Sequence, residues 1–281
     1  MKKIFLYGFL LFVFGVPLMV TGQITVNTPS DGLFQDQGVI KRIPMPLPTV
    51  RKADIMWSKR IWREIDFRQK MNNVFYFPTT PHQNWKSFIT VIMDALKQGK
   101  ITAYDISSTD ELLVPITYNE IIARQTDTTH ETLRRSTPPY DEYDTVIINT
   151  FDPTQVMRLR LKEDWYFDSK RSQMLVRIEA FCPVMIKEHN GQQVSVPLFW
   201  VSYADARKVL AQSLAFNPNN SAMRLTFDDI FIKRLFRSYI YKEQNMFDRR
   251  ISEYATGVAA IKESQRIQRE MFNFEQYLWQ Y

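Results

Sequence analysis

Between Met174 and Ile186 every second residue is apolar: Met174, Val176, Ile178, Ala180, Cys182, Val184 and Ile186 fall on one side. That is the period of a strand with one buried face. The stretch HNGQ that follows puts Asn190–Gly191 at the tip of a tight hairpin. On the return strand, Val194, Val196, Leu198 and Trp200 share a face. DTVIINTF (144–151) and VMRLRL (156–161) predict two shorter strands, and together these segments form an antiparallel meander buried on one side.

Helical spacing dominates elsewhere. Residues 54–78, DIMWSKRIWREIDFRQKMNNVFYFP, predict a helix with Asp54 as N-cap and Pro78 in the loop beyond it. A second helix over 83–97 carries Trp85, Phe88, Ile89, Ile92 and Leu96 on one face and stops at Gly99. KITAYDI (100–106) reads as a short strand and TYNEIIARQT (117–126) as a short helix. The polar residues 125–143, with Pro138–Pro139, read as a loop. Helices follow over 203–216 and over 226–243, the latter opened by Thr226 with Asp229 three residues on, a capping-box pattern. A last helix over 248–281 carries Ile251, Ala255 and Val258, then Ile267, Met271, Phe274 and Leu278. Before all of these, residues 23–53 lack periodicity, and Pro44, Pro46 and Pro48 hold them extended. The fold class expected is α+β: helices flanking a small antiparallel β-meander, with an extended N-terminal arm, a core over 54–247 and a long C-terminal helix.

On a helical wheel the 54–78 segment has one apolar stripe of Trp57, Ile61, Trp62 and Ile65. A second patch of Met56, Phe67 and Met71 lies beside the bases Lys59, Arg60, Arg63 and Lys70. The charges pair internally, Arg60 with Glu64, Glu64 with Arg68, Asp66 with Lys70, and Arg63 with Asp66. Self-paired bases grip phosphate poorly, and two apolar patches suit a helix held between its own core and another body. Ile43, Met56, Trp57, Arg60, Trp62, Arg63, Phe67 and Met71 are the expected partner-binding residues, with Met56, Phe67 and Met71 the outward ones. The arm is either a flexible tether or a strap on a neighbour. Its apolar residues Ile24, Val26, Leu33, Phe34, Ile40 and Ile43 favour the strap.

The first 22 residues change the compartment. Lys2 and Lys3 precede an apolar run from Ile4 to Val20, and Val20 and Gly22 are the small residues a signal peptidase reads, so cleavage is expected after Gly22. An uncleaved anchor is the alternative, though Pro17 interrupts a run only just long enough to span. No cysteine stands at the cleavage site to take a lipid, and no later run is long enough to cross a bilayer.

Composition narrows the chemistry. The formal charge of +6 includes Lys2 and Lys3, so the exported chain carries 6 − 2 = +4, short of a nucleic-acid footprint. Aromatics make up 14%, with 20 Phe, which implies dense packing against something. His82, His130 and His189 stand apart, and Cys182 is the single cysteine, so there is no metal-ligand spacing and no disulfide framework. No clustered glycines cradle a phosphate, and no GxSxG elbow is present. The carboxylates Glu163, Asp164, Asp168, Asp228 and Asp229 allow a hydrolase in principle, but turn and cap roles fit them better. A module binding anionic glycan or a membrane surface is the other alternative.

Four blocks are similar to the gliding-motility protein N (GldN/PorN) family of the type IX secretion system. They are WSKRIWREIDFRQKMNNVFYFP (57–78), LKEDWYFDSKRSQMLVRIEAFCPV (161–184), PLFWVSYADARKVLAQSLAFNPNN (197–220) and LTFDDIFIKRLFRSYIYKEQNMFDRRISEY (225–254). The resemblance implies a non-catalytic periplasmic subunit, without cofactors or catalytic residues. It further implies a ring of self-associated subunits with an outer-membrane lipoprotein of the GldK/PorK type under the outer membrane, meeting the periplasmic part of the GldM/PorM motor subunit.

Overall fold

The computed structural model describes residues 42–81, 85–106, 110–138, 141–189, 191–217 and 224–278; of 127–133, 143–149, 189 and 192 it describes the backbone alone. The expected leader, the arm before Arg42, His82, Asn190 and most of the NPNN turn lie outside the described residues.

Among the described residues ten strands form: β1 Ile55–Asp66, β2 Ala103–Tyr104, β3 Pro115–Ile116, β4 Asp127–Arg134, β5 Glu142–Asn149, β6 Val156–Asp168, β7 Gln173–His189, β8 Gln192–Pro197, β9 Trp200–Ser202 and β10 Tyr239–Glu243. Among the described residues six α-helices accompany them: α1 Asn73–Tyr76, α2 Phe88–Lys97, α3 Tyr118–Gln125, α4 Tyr203–Ala211, α5 Phe227–Ile232 and α6 Val258–Leu278. Eight strands make one antiparallel sheet in the order β10-β1-β6-β7-β9-β2-β3, with β8 beside β7; β4 and β5 pair as a separate hairpin. The fold is α+β with a long C-terminal helix.

The 54–78 segment departs most from its expected form. Residues 55–66 are a strand in the sheet interior, paired along their length with β6 and over 61–64 with β10. Trp57, Ile61 and Ile65 are spaced by four, a spacing common to the helix face and to the two-residue period of a strand. The local pattern fits both, and β6 decides between them by offering partners on the whole strand. The expected i,i+4 charge pairs are replaced by cross-strand ones. Arg60 pairs with Asp164, Glu64 with Arg160, and Asp66 with Arg158, each with its direct register partner.

Three other expectations are corrected. Residues 125–143 contain β4 and the start of β5 rather than a loop. The helix over 226–243 ends at Ile232 and the chain returns as β10. The meander is buried on both sides, because a bulge pairs Lys162 with Ala180 but Glu163 with Ile178 and leaves Glu179 as the extra residue. Ile178 and Phe181 then face one core while Ala180 and Cys182 face another.

On one side of the sheet, α1, α2, α4 and α5 cover the main core. Phe75 sits at its centre, with ring centroids 5.4–6.2 Å from those of Phe67, Phe88, Phe227 and Phe231. Much of the aromatic content is spent on the chain's own interior. Farther along the same face, α6 lays Ile267 and Met271 on Ile61, Ile240 and Ile251, and Phe274 meets Trp57 at 4.8 Å. The outer edge of β10 is closed rather than left as a pairing template. Ile240 N–H donates to Ser264 Oγ at 3.0 Å, and Lys242 bridges to Arg250. No helix among the described residues is long and apolar enough to cross a membrane.

Candidate interaction site

The two cores on the α6 side of the sheet meet at a charged seam. Glu163 on β6 is fully buried, and Arg63 on β1, the next strand, is 5% exposed. They lie diagonally across the ladder, since Glu163 is opposite Ile61. Arg63 Nε is 3.2 Å from Glu163 Oε2. Arg234 supplies a two-pronged contact, Nη1 to Oε1 at 2.9 Å and Nη2 to Oε2 at 3.2 Å. Trp165 Nε1–H donates to the same carboxylate at 3.1 Å. Both guanidiniums also stack on the Trp165 ring, at 5.6 Å and 5.5 Å from its centroid, and Arg234 lies 5.2 Å from that of Phe236. Burial pushes the Arg63 guanidinium below its ordinary pKa, and the Glu163 carboxylate counteracts this.

Local backbone shows how Arg234 is aimed. After α5, Arg234 N–H bonds to Phe231 O and Leu235 N–H to Ile230 O, the paired bonds of a Schellman turn. Arg234 occupies its left-handed position, φ +52°. Helix α2 ends in the same bond pattern, Gly99 to Leu96 and Lys100 to Ala95, with Gly99 at φ +66°. An L-residue there costs about 1 kcal/mol that glycine avoids. The α5 turn accepts that cost and gains a guanidinium directed at Glu163.

Above the seam is a cleft of about 640 Å³ between α6 and the 236–241 segment. Arg63, Arg234 and Arg237 line it together with the aromatic rings of Trp165 and Phe236, and no Asp or Glu is among its lining residues.

The expected partner-binding residues scatter through this frame. Trp62 is buried on the opposite face of the sheet, packed with Cys182 and Trp200, and its Nε1–H donates to Asp110 at 2.6 Å. Phe67 is interior at 3% exposure, a correction to its expected outward position. Trp57 is half-buried under α6, and Arg60 is held by Asp164 at 2.5 Å. Arg63 belongs to the seam. Ile43, Met56 and Met71 are open to solvent at 84%, 76% and 53%. Met56 and Met71 lie beyond opposite ends of most of β1, which at roughly 3.3 Å per residue separates them widely, so they form no single patch. Arg234 and Phe236 were missed because their segment read as the inside of a helix.

The described part of the arm lies on its own fold. Arg42 pairs with Asp229 at 2.8 Å, and the carbonyls of Met45 and Pro48 accept from Arg207 and Arg177. The carboxylates do not converge. Asp164 faces away from Glu163. Asp168 closes a turn with Arg171 at 2.6 Å. Asp228 accepts from Tyr203 and Arg207, and Asp229 completes the capping box with Thr226. Among the described residues no group of His, Cys, Asp and Glu could hold a metal ion.

The chain matches the family model described as Gliding motility associated protein GldN over residues 50–280. No curated protein matches it.

Proposed function

The chain belongs to the GldN family of gliding-motility-associated proteins, and from that premise we propose that it is a non-catalytic structural subunit of the type IX secretion and gliding machinery. In this reading it is exported to the periplasm and self-associates in a ring beneath the outer membrane. An outer-membrane lipoprotein of the GldK/PorK type anchors the ring, and the periplasmic part of the GldM/PorM motor subunit meets it. The observation that carries the reading is the family match, which runs through nearly all of the described fold.

The surface is compatible with assembly. Large apolar side chains stand exposed on the arm at Ile43 and Met45, in the loop after β10 at Met246 and Phe247, and in the first turn of α6 at Val258 and Ile261, the kind of residue interfaces use as anchors. A ring subunit needs two unlike surfaces for its neighbours and a third for its anchor. In-cell cross-linking of the protein, followed by electron microscopy of what co-purifies, tests the proposal. Recovery of the protein as a monomer free of lipoprotein and motor would overturn it. Deleting residues 23–41 tests the arm: unchanged assembly and lipoprotein co-purification would remove the strap from the scheme.

A further inference from the structure

We propose that the cleft between α6 and the 236–241 segment is a docking site for a carboxylate-bearing, partly apolar peptide segment of a partner protein. Arg63 and Arg234 share one carboxylate, Glu163, so the seam carries one positive charge in excess. Arg237, exposed at the rim, adds a second and makes no ion pair among the described residues. The lining holds no acid to balance them. Arg63 is nine-tenths buried, yet its Nε finds no aligned hydrogen-bond acceptor. A buried cation without full compensation is costly, and an incoming anion relieves that cost.

The shape of the site selects among anions. Guanidinium groups stacked on Trp165 and Phe236 are held in place before any ligand arrives, so little side-chain freedom is lost on binding. The cavity's volume falls within the range of ordinary ligand sites, about 300–1,000 Å³. Its other walls mix apolar Ile251, Ala260 and Ile261 with the uncharged polar Ser252, Ser264, Gln265 and Gln268, and Ile261 is 60% exposed. The apolar Ile251, Ala260 and Ile261 gain nothing from a bare phosphate, whereas a Leu or Phe next to an acidic residue would cover them. A membrane headgroup is a poorer fit, because the arginines at the floor are recessed rather than carried on an outward amphipathic face. Glu163 already shows the mode of binding, a carboxylate gripped two-pronged by Arg234. The left-handed Arg234 is the second sign of design, since a strained residue persists where its side chain has a use.

The identity of the partner rests on the scaffold reading, but peptide binding does not, so the two can fail separately. The test is calorimetric titration of the purified protein with the blocked peptide acetyl-Leu-Glu-Phe-Glu-Leu-amide and with its glutamine counterpart. The glutamate peptide should bind at least about tenfold more tightly, the expected worth of a charge-assisted contact. R234G keeps the turn, because glycine is the residue such a turn prefers, and should abolish that preference. R237Q, at the exposed rim, should weaken it about threefold while leaving the floor intact. Equal binding of the two peptides overturns the proposal. So does a folded R234G, or an R237Q, that binds as the parent does. Saturable binding of inorganic phosphate tighter than that of the peptide, or Arg234-dependent pelleting with phosphatidylglycerol vesicles, would assign the arginines to phosphate and also overturn it.

Discussion

Arg234 and Glu163 meet through two parallel hydrogen bonds of 2.9 and 3.2 Å, although they are 71 residues apart and the carboxylate has no solvent exposure. Removing one charge from such a cluster leaves the others buried and unpaired. Glu163→Gln is expected to cost about 3–5 kcal/mol, since it abandons two guanidiniums. Urea denaturation measures this. A double variant Glu163→Gln with Arg63→Met should recover part of the loss, and strict additivity would show that the two residues are not coupled.

Phe67 and Trp57 separate the core from the α6 contact. Phe67→Ala empties a buried site stacked on Phe75 and should cost about 3–5 kcal/mol. Trp57 is half-buried against Phe274, so Trp57→Ala should cost less, by at least about 1 kcal/mol. Equal losses in the urea midpoint would place Trp57 in the interior as firmly as Phe67.

The α5 cap is reciprocal. Thr226 Oγ1 accepts from Asp229 N–H at 3.3 Å, and Asp229 Oδ2 accepts from Thr226 N–H at 3.1 Å. Thr226→Ala should cost about 1 kcal/mol. Combining it with Asp229→Ala should cost less than the sum, because each removes part of the same box. Chemical denaturation of the three variants gives the comparison.

Acid stability has a marked contributor in Asp168. The Arg171 guanidinium, followed by the backbone N–H groups of Arg171 and Lys170, holds its carboxyl below the ordinary 3.8 despite opposing desolvation. A carboxyl whose folded pKa is depressed stabilises the fold fully above its unfolded value and loses that stabilisation as pH falls through the folded one. Asp168→Asn should be less stable than the parent at pH 7, and the gap should close as pH falls below about 3.8. Urea midpoints at pH 7 and pH 3 read this out; a gap that stays constant would mean the carboxylate's charge is not what matters.

Cys182 is predicted to be inert. Burial pushes its thiol up to about 12 from the ordinary 9.0. At pH 8 the native thiol should react with Ellman's reagent roughly a thousandfold more slowly than in the unfolded chain, in proportion to its thiolate fraction. Rapid labelling of the native protein would contradict the buried placement.

Legibility in the sequence followed how local each feature is. The capping box at Thr226–Asp229, the Gly99 stop of α2 and the long strand through Cys182 are set by neighbours within a few residues, and the pattern alone finds them. The family resemblance was also legible, because it rests on blocks of contiguous residues. In Trp57, Ile61 and Ile65 a spacing of four satisfied two periods equally, and the local sequence could not choose. Arg63 reads as a partner of Asp66 for the same reason. Its partner Glu163 is 100 positions away, and nothing near Arg63 indicates it.

The sequence by itself determined an α+β chain, most of the strands from 144 to 202, the cap chemistry and the family. Each depends on side chains close along the backbone. Only the tertiary structure decided that residues 55–66 are a strand between β6 and β10, that Phe67 is interior, and that Arg63 and Arg234 converge on Glu163 beneath an acid-free cleft. Those outcomes depend on which distant strand supplies the hydrogen bonds and which helix covers the face, and long-range pairing settles both.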